Sequence, residues 1–361
     1  MLFALLRAAL HQQTTESIYF QTATEEDWDI CYRQAVWQGV MALAWDGLLQ
    51  LPEELHPPMS IKFSWGLAVH DYEEQYHHYC KTAIELSELF KKHGIGTVIL
   101  KGIGFSTYYP IPSHREGGDI DIYTYSANKK EMTDLEANAL ADKLVQELGA
   151  TLEHHSTKHS NFIWKDVPIE NHRILTDINL YSSAEAMNKL LLSQLGPQPI
   201  TLLKGEPEVY IPSEEFNTLF IAYHAAQHYN GGLFLHHICD WAILLTRCGL
   251  QLPKDIQDEG YLKMVSALTE ACNLYLGTHV PVTHYAGEGE FMMKGILYMK
   301  NPIRIPQRNK LSFMMGKFER MYYNYQLRDR MLNNGVPKHS FIKEIWNSIL
   351  FHLRNPKQII E

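Results

Sequence analysis

The stretch Gly118-Asp119-Ile120-Asp121-Ile122-Tyr123 constrains the fold more than any other in this 361-residue chain. Strand side chains alternate between faces, so the two aspartates share one face while Ile120 and Ile122 take the other. Strands are depleted in Asp, and two carboxylates held this close repel, so packing alone gives little reason for the arrangement. A hard divalent cation removes the repulsion; Mg²⁺ is commonly held by one or two carboxylates together with phosphate oxygens. The plain alternative is a pair of solvated charges on a loop or edge strand. The residues upstream weigh against it. Thr97-Val98-Ile99-Leu100 reads as a short strand, Lys101-Gly102 breaks it, and Ile103 to Tyr109 can open a helix. A strand that turns through glycine into a helix presents backbone N–H groups and a positive helix end, both suited to phosphate.

The chain is long enough for two or three subdomains with cores of their own. Its 45% hydrophobic and 20% charged content fits a globular protein and excludes a disordered one. A formal net charge of −9 gives no general attraction to nucleic acid. Nucleic acid therefore stays a less favoured partner, reachable only through a local basic patch such as Arg304, Arg308, Lys310, Lys317 and Arg320. The five cysteines are odd in number and scattered, without a C-x-x-C pair, which points to a reducing compartment. Met1 to Leu10 reads as an amphipathic helix without a cleavage site, and no apolar run is long enough for a membrane span. The expected location is cytoplasmic, with no membrane partner.

Three regions follow from the patterning. Residues 1–94 read as helical, with one helix over Glu25 to Leu49 capped by Thr24 and a second over Ser60 to His93 closed by Gly94. Residues 95–182 are mixed α/β. There, Ser126 to Leu148 reads as a helix, and Asn161–Trp164 and Val167–His172 as two strands around a Lys165-Asp166 turn. The second of these strands is expected to return beside the aspartate strand and bring in a third carboxylate, Glu170, with Asp177 as its competitor. Residues 183–361 are mainly helical, with a short hairpin expected between Gly196 and Ile211. Ser213 caps a helix that carries His224 and His228 one turn apart.

Taken together, Val98-Ile99-Leu100-Lys101-Gly102, Tyr108-Tyr109, Arg115, Asp119-Ile120-Asp121-Ile122-Tyr123, Ile169-Glu170-Asn171-His172, Tyr223 to His228 and Cys239-Asp240-Trp241 form an ordered set. Over roughly residues 20 to 250 this set resembles the bacterial uncharacterised nucleotidyltransferase family, a branch of the polymerase-β-like superfamily. The resemblance implies an α+β fold: a small mixed sheet as nucleotidyltransferase core, flanked by N-terminal and C-terminal helical regions. It implies transfer of a nucleoside monophosphate from an NTP to an acceptor hydroxyl or phosphate, dependent on Mg²⁺ or Mn²⁺. Asp119, Asp121 and Glu170 would be catalytic and hold metal, while Lys101, Gly102 and Arg115 would bind the nucleotide. Gly102 is followed by Ile103 where the superfamily usually has serine or glycine, so Lys101 is expected to supply the phosphate contact as a point charge.

His172, His224, His228 and Asp240 are candidates for substrate contact, set against ordinary packing. His224 and His228 at i, i+4 also suit a transition metal, but the sequence offers no evident third ligand. The remaining His pairs, His77-His78, His154-His155 and His236-His237, are expected at the surface. The leading function is a metal-dependent nucleotidyltransferase acting on a small molecule, glycan precursor or protein. Its alternatives are a toxin-like transferase acting on tRNA ends and a catalytically silent nucleotide-binding or scaffold protein. The acceptor, the preferred base and the oligomeric state are not encoded legibly.

Overall fold

In a computed structural model, the apolar alternation of the middle third becomes one mixed sheet. The structure describes residues 1–153, 158–176, 184–228, 233–249, 256, 259–282, 286–298, 318, 322, 340–343 and 345–346. The proposed basic patch at 304–320 and the competitor carboxylate Asp177 lie outside the described residues.

Among the described residues seven strands are ordered β3-β4-β5-β2-β1-β7-β6. They are β1 (Ile95–Ile99), β2 (Ile120–Ser126), β3 (Leu152–Glu153), β4 (His159–Trp164), β5 (Val167–His172), β6 (Gln198–Ile200) and β7 (Val209–Ile211). The Lys165-Asp166 turn joins β4 to β5 as an antiparallel hairpin, and β5 then lies parallel to β2. The register sets Asp121 opposite Glu170 and Tyr123 opposite His172. The expected hairpin between Gly196 and Ile211 is formed by β6 and β7.

The helices are α1 (Leu2–His11), α2 (Glu25–Trp37), α3 (Met41–Leu49), α4 (Met59–Lys91), α5 (Ile103–Ser106), α6 (Asp134–Glu147), α7 (Ala184–Ser193), α8 (Glu214–His228), α9 (Leu235–Arg247), α10 (Glu259–Ala271) and α11 (Gly289–Tyr298). Alternation along the strands decides what each helix covers. Ile95, Ile99, Ile120, Ile122 and Ile169 join Phe90 of α4 and Ala137, Ala141 and Val145 of α6 in one buried cluster. Val98, Leu100 and Tyr123 point the other way, into a larger cluster with Phe216 and Phe220 of α8, Trp241 of α9, Trp65 of α4 and Leu5 of α1. The architecture is α+β, with the sheet between helical layers and helices at both ends of the chain.

Several expected boundaries move, each for a local reason. The helix over Glu25 to Leu49 is two helices. Gly39 interrupts it at φ +64°, where an added Cβ would stand 2.8 Å from His236 Nδ1. Thr24 caps α2 as expected, in a reciprocal capping box with Asp27. The helix expected from Ser126 starts only at Asp134: Ser126 ends β2, and Thr133 forms a capping box with Glu136. The helix after Gly102 is a single turn rather than reaching Tyr109: Tyr108 and Tyr109 donate their N–H groups to the carbonyls three residues back, and Pro110 disfavours helical backbone at Tyr109 itself. The His236-His237 pair is not a surface pair, for His237 is buried at 6% exposure in the first turn of α9.

Candidate active site

Adjacent parallel strands carry the two central acids. Because Asp121 and Glu170 are register partners, their side chains leave the sheet on the same face, and His172 follows two residues on. Asn161 and His159 of β4, opposite Glu170 and His172, extend that face by one strand. On the reverse face a buried polar ladder fixes β5 against β2 and α6. Asn171 accepts from Thr124 and Asn138 at 2.9 Å each, and donates to Asp142 at 2.9 Å. Buried polar networks of this kind hold register as apolar contacts do not, although Asn138 Oδ1 is left without a partner among the described residues.

Asp121 is fully buried. Its Oδ1 receives the Lys101 ammonium at 3.1 Å and His172 Nε2 at 2.9 Å. Burial alone would raise the Asp121 pKa, yet Lys101 and His172 hold the carboxyl well below the usual carboxylate range. His172 Nε2 also lies 3.4 Å from Glu170 Oε2, and His159 Nδ1 lies 3.8 Å from the same oxygen. Burial works against ionisation of Glu170, but the His172 contact keeps its pKa below the ordinary value. Asp119, just before β2, behaves differently. Burial, then repulsion from Asp121, pushes its carboxyl up to about 6 although Lys101 pulls it down. Lys101 resists its own burial because Asp121, Asp119 and Glu170 surround it, so its pKa is raised.

The carboxylates of the donor set suit a hard divalent cation, and the His172 imidazole beside them is a softer donor. Asp121, Glu170 and His172 offer ligand atoms within 4.8 Å of one another. Asp121 Oδ2 and His172 Nδ1 are buried without a hydrogen-bond partner among the described residues. A buried carboxylate oxygen left unpaired is costly, and a cation beside it removes the cost. Asp119 stands in the electrostatic field of this group without being one of its converging ligands.

The other expected site residues are distributed unevenly. Gly102 adopts φ +63° and ψ −126°, a conformation L side chains rarely take, and this lets Lys101 turn back toward Asp121 at the end of β1. Arg115 is turned to Asp240: Nη2 donates to Oδ2 at 2.6 Å and Nε to Oδ1 at 3.2 Å, while Nη1 donates to the Glu116 carbonyl. Tyr109 donates its hydroxyl to Asp240 Oδ1 at 2.7 Å. Asp240 is therefore engaged by Arg115 and Tyr109, not by His224 or His228. Those two histidines meet each other at 3.0 Å and are joined by His237, a third imidazole that local spacing did not reveal. Its one signal was position: His236-His237 follows His224 and His228 closely in the chain.

Carboxylates on neighbouring strands beside a buried ammonium make the arrangement that metal-assisted phosphoryl transfer uses. Residues 24–283 match the model of a family described as uncharacterised nucleotidyltransferase. The chain belongs to that family, and the general activity this membership carries is nucleotidyl transfer. No curated protein and no solved structure matches it. Among the described residues no helix is long and apolar enough to cross a membrane.

Proposed function

We propose that this chain moves a nucleoside monophosphate from an NTP to an acceptor hydroxyl or phosphate, at the face of β2 and β5. The observation that carries the reading is the register pairing of Asp121 with Glu170, with Asp121 Oδ2 buried and unpartnered. In this reaction the acceptor oxygen forms a bond to the α-phosphorus, the bond from that phosphorus to the bridging β-phosphate oxygen breaks, and pyrophosphate leaves. The acceptor's proton passes to solvent or to a neighbouring base.

Asp121 and Glu170, with Asp119 beside them, would hold Mg²⁺ or Mn²⁺; bound there, the cation neutralises phosphate charge and lowers the pKa of the acceptor. Lys101 supplies positive charge to the triphosphate, since its ammonium is already inside the carboxylate group. His172 holds Asp121 and Glu170 at a fixed separation by touching both. With its guanidinium turned to Asp240, Arg115 positions the loop before β2, and any phosphate contact uses its remaining N–H groups.

Calorimetric titration of each NTP with Mg²⁺ into wild type and Asp121→Asn tests the reading. We expect one NTP to bind only with the cation, and Asp121→Asn to weaken that binding by about 10- to 100-fold with the thermal unfolding curve retained. Metal-dependent NTP binding that is equally strong in Asp121→Asn would remove the carboxylate assignment.

A further inference from the structure

A second group of converging side chains lies outside the carboxylates. The imidazoles of His224, His228 and His237 come together from the last turns of α8 and the first turn of α9, with ring nitrogens within 4.8 Å of one another. His224 and His228 already stand Nε2 to Nε2 at 3.0 Å. Two ligands of one tetrahedral zinc, at Zn–N distances of about 2.0–2.1 Å, stand roughly 3.3 Å apart. The first pair is therefore near ligand spacing, and the third ring nitrogen lies within 4.8 Å of both. Ring centroids are 4.3 Å apart for that pair, and 5.6 and 5.2 Å from each to His237. An N–H···N hydrogen bond accounts for the 3.0 Å contact of the first pair, but not for the third ring nitrogen brought to it by His237.

Neutral imidazole is a borderline donor that suits zinc and its transition-metal neighbours, whereas Mg²⁺ takes oxygen. We propose that His224, His228 and His237 form a binding site for a divalent transition metal of the zinc type, distinct in donor chemistry from the carboxylates of β2 and β5. Each ring is held in the neutral form a metal needs. Burial, then the charge of Lys101, keeps His224 well below the ordinary imidazole range, and the same surroundings lower His228 although its side chain is open to solvent on one side. Burial, then neighbouring His236, does the same for His237. His237 Nδ1 accepts the Phe234 backbone N–H at 3.2 Å, a contact that turning the ring toward the metal exchanges. Three protein ligands leave a fourth position for water or another ligand. The charges of Asp121 and Glu170 are felt at His228, so the two groups share one neighbourhood.

The probe is Zn²⁺ alone, titrated calorimetrically into the full chain in excess Mg²⁺. We expect one equivalent to bind, His228→Ala and His237→Ala each to weaken it by about 100-fold or more, and Asp121→Asn, which only removes a neighbouring charge, to weaken it by less than about 10-fold. Co²⁺ should give the intense visible absorption of a tetrahedral site in wild type and lose it in His228→Ala. His228 is exposed, so its replacement leaves the core intact and keeps the test valid if His237→Ala folds poorly. Absence of binding, equal affinity in His228→Ala, or loss in Asp121→Asn instead would each overturn the proposal.

Discussion

Glu116 shows how a single buried acid couples this fold to pH. It accepts the Ala42 backbone N–H at 2.8 Å and is 8% exposed. Burial raises its carboxyl to about 7, against the lowering effect of bonds from the backbone of Ala42 and Met41. A folded-state pKa above the unfolded value means that the native state binds the proton more tightly. The stabilisation is full below the unfolded value of 4.5, and it is lost as pH rises toward 7. At about 1.4 kcal/mol per pKa unit the loss is on the order of 3 kcal/mol. Urea unfolding at pH 5 and pH 7.5 checks this: wild type should lose stability between the two relative to Glu116→Gln. A difference between the two proteins that does not change with pH would place the proton elsewhere.

At the scale of elements, the β4–β5 hairpin shows what local chemistry decides. Lys165 and Asp166 have φ of 50° and 64°, the left-handed values that a two-residue hairpin turn of right-handed twist demands. Side chains with a Cβ pay for that conformation, and glycine does not. Asp166→Gly should raise stability by about 0.5–1 kcal/mol, read as a higher urea midpoint with an unchanged slope. Lys165 stays in place because it pairs with Glu85 and its carbonyl accepts from His78. Such turns, the strand alternation and the Thr24 cap were legible in sequence because each is decided within a few residues. The split at Gly39 was missed although its signal is local: apolar spacing continues through it, but the glycine sits just past the end of α2 in the left-handed region, with Val40 N–H donating to the Ala35 carbonyl at 3.0 Å and Gly39 N–H to the Val36 carbonyl at 3.3 Å. In the site, legibility follows local pattern. Asp121 and Glu170 were legible through alternation and strand order. His237 and the Arg115–Asp240 pair depend on how α9 docks, which no local pattern records.

For the whole molecule the decisive contact is that Arg115–Asp240 pair, because it ties the loop before β2 to α9. Their side chains are 9% and 3% exposed, and the guanidinium meets the carboxylate through two nitrogens. Burial works against the charged guanidinium, but Asp240 more than offsets this and raises the Arg115 pKa. Around it runs the larger apolar cluster, which takes in α1 to α4, the Val98 and Tyr123 face of the sheet, and α8 to α11. A defect at the pair should therefore be felt by sheet and helices together. Asp240→Ala leaves a buried guanidinium uncompensated and should cost about 3–5 kcal/mol. Replacing both partners, Arg115→Met with Asp240→Leu, should recover most of that loss, because the remaining cost is the Tyr109 hydroxyl and the Glu116 carbonyl that lose their partners. Denaturant unfolding followed by far-ultraviolet circular dichroism and by tryptophan fluorescence reads both quantities. If the pair joins the layers, the two signals shift together in Asp240→Ala, and a midpoint that moves in only one of them would show that sheet and helices unfold independently.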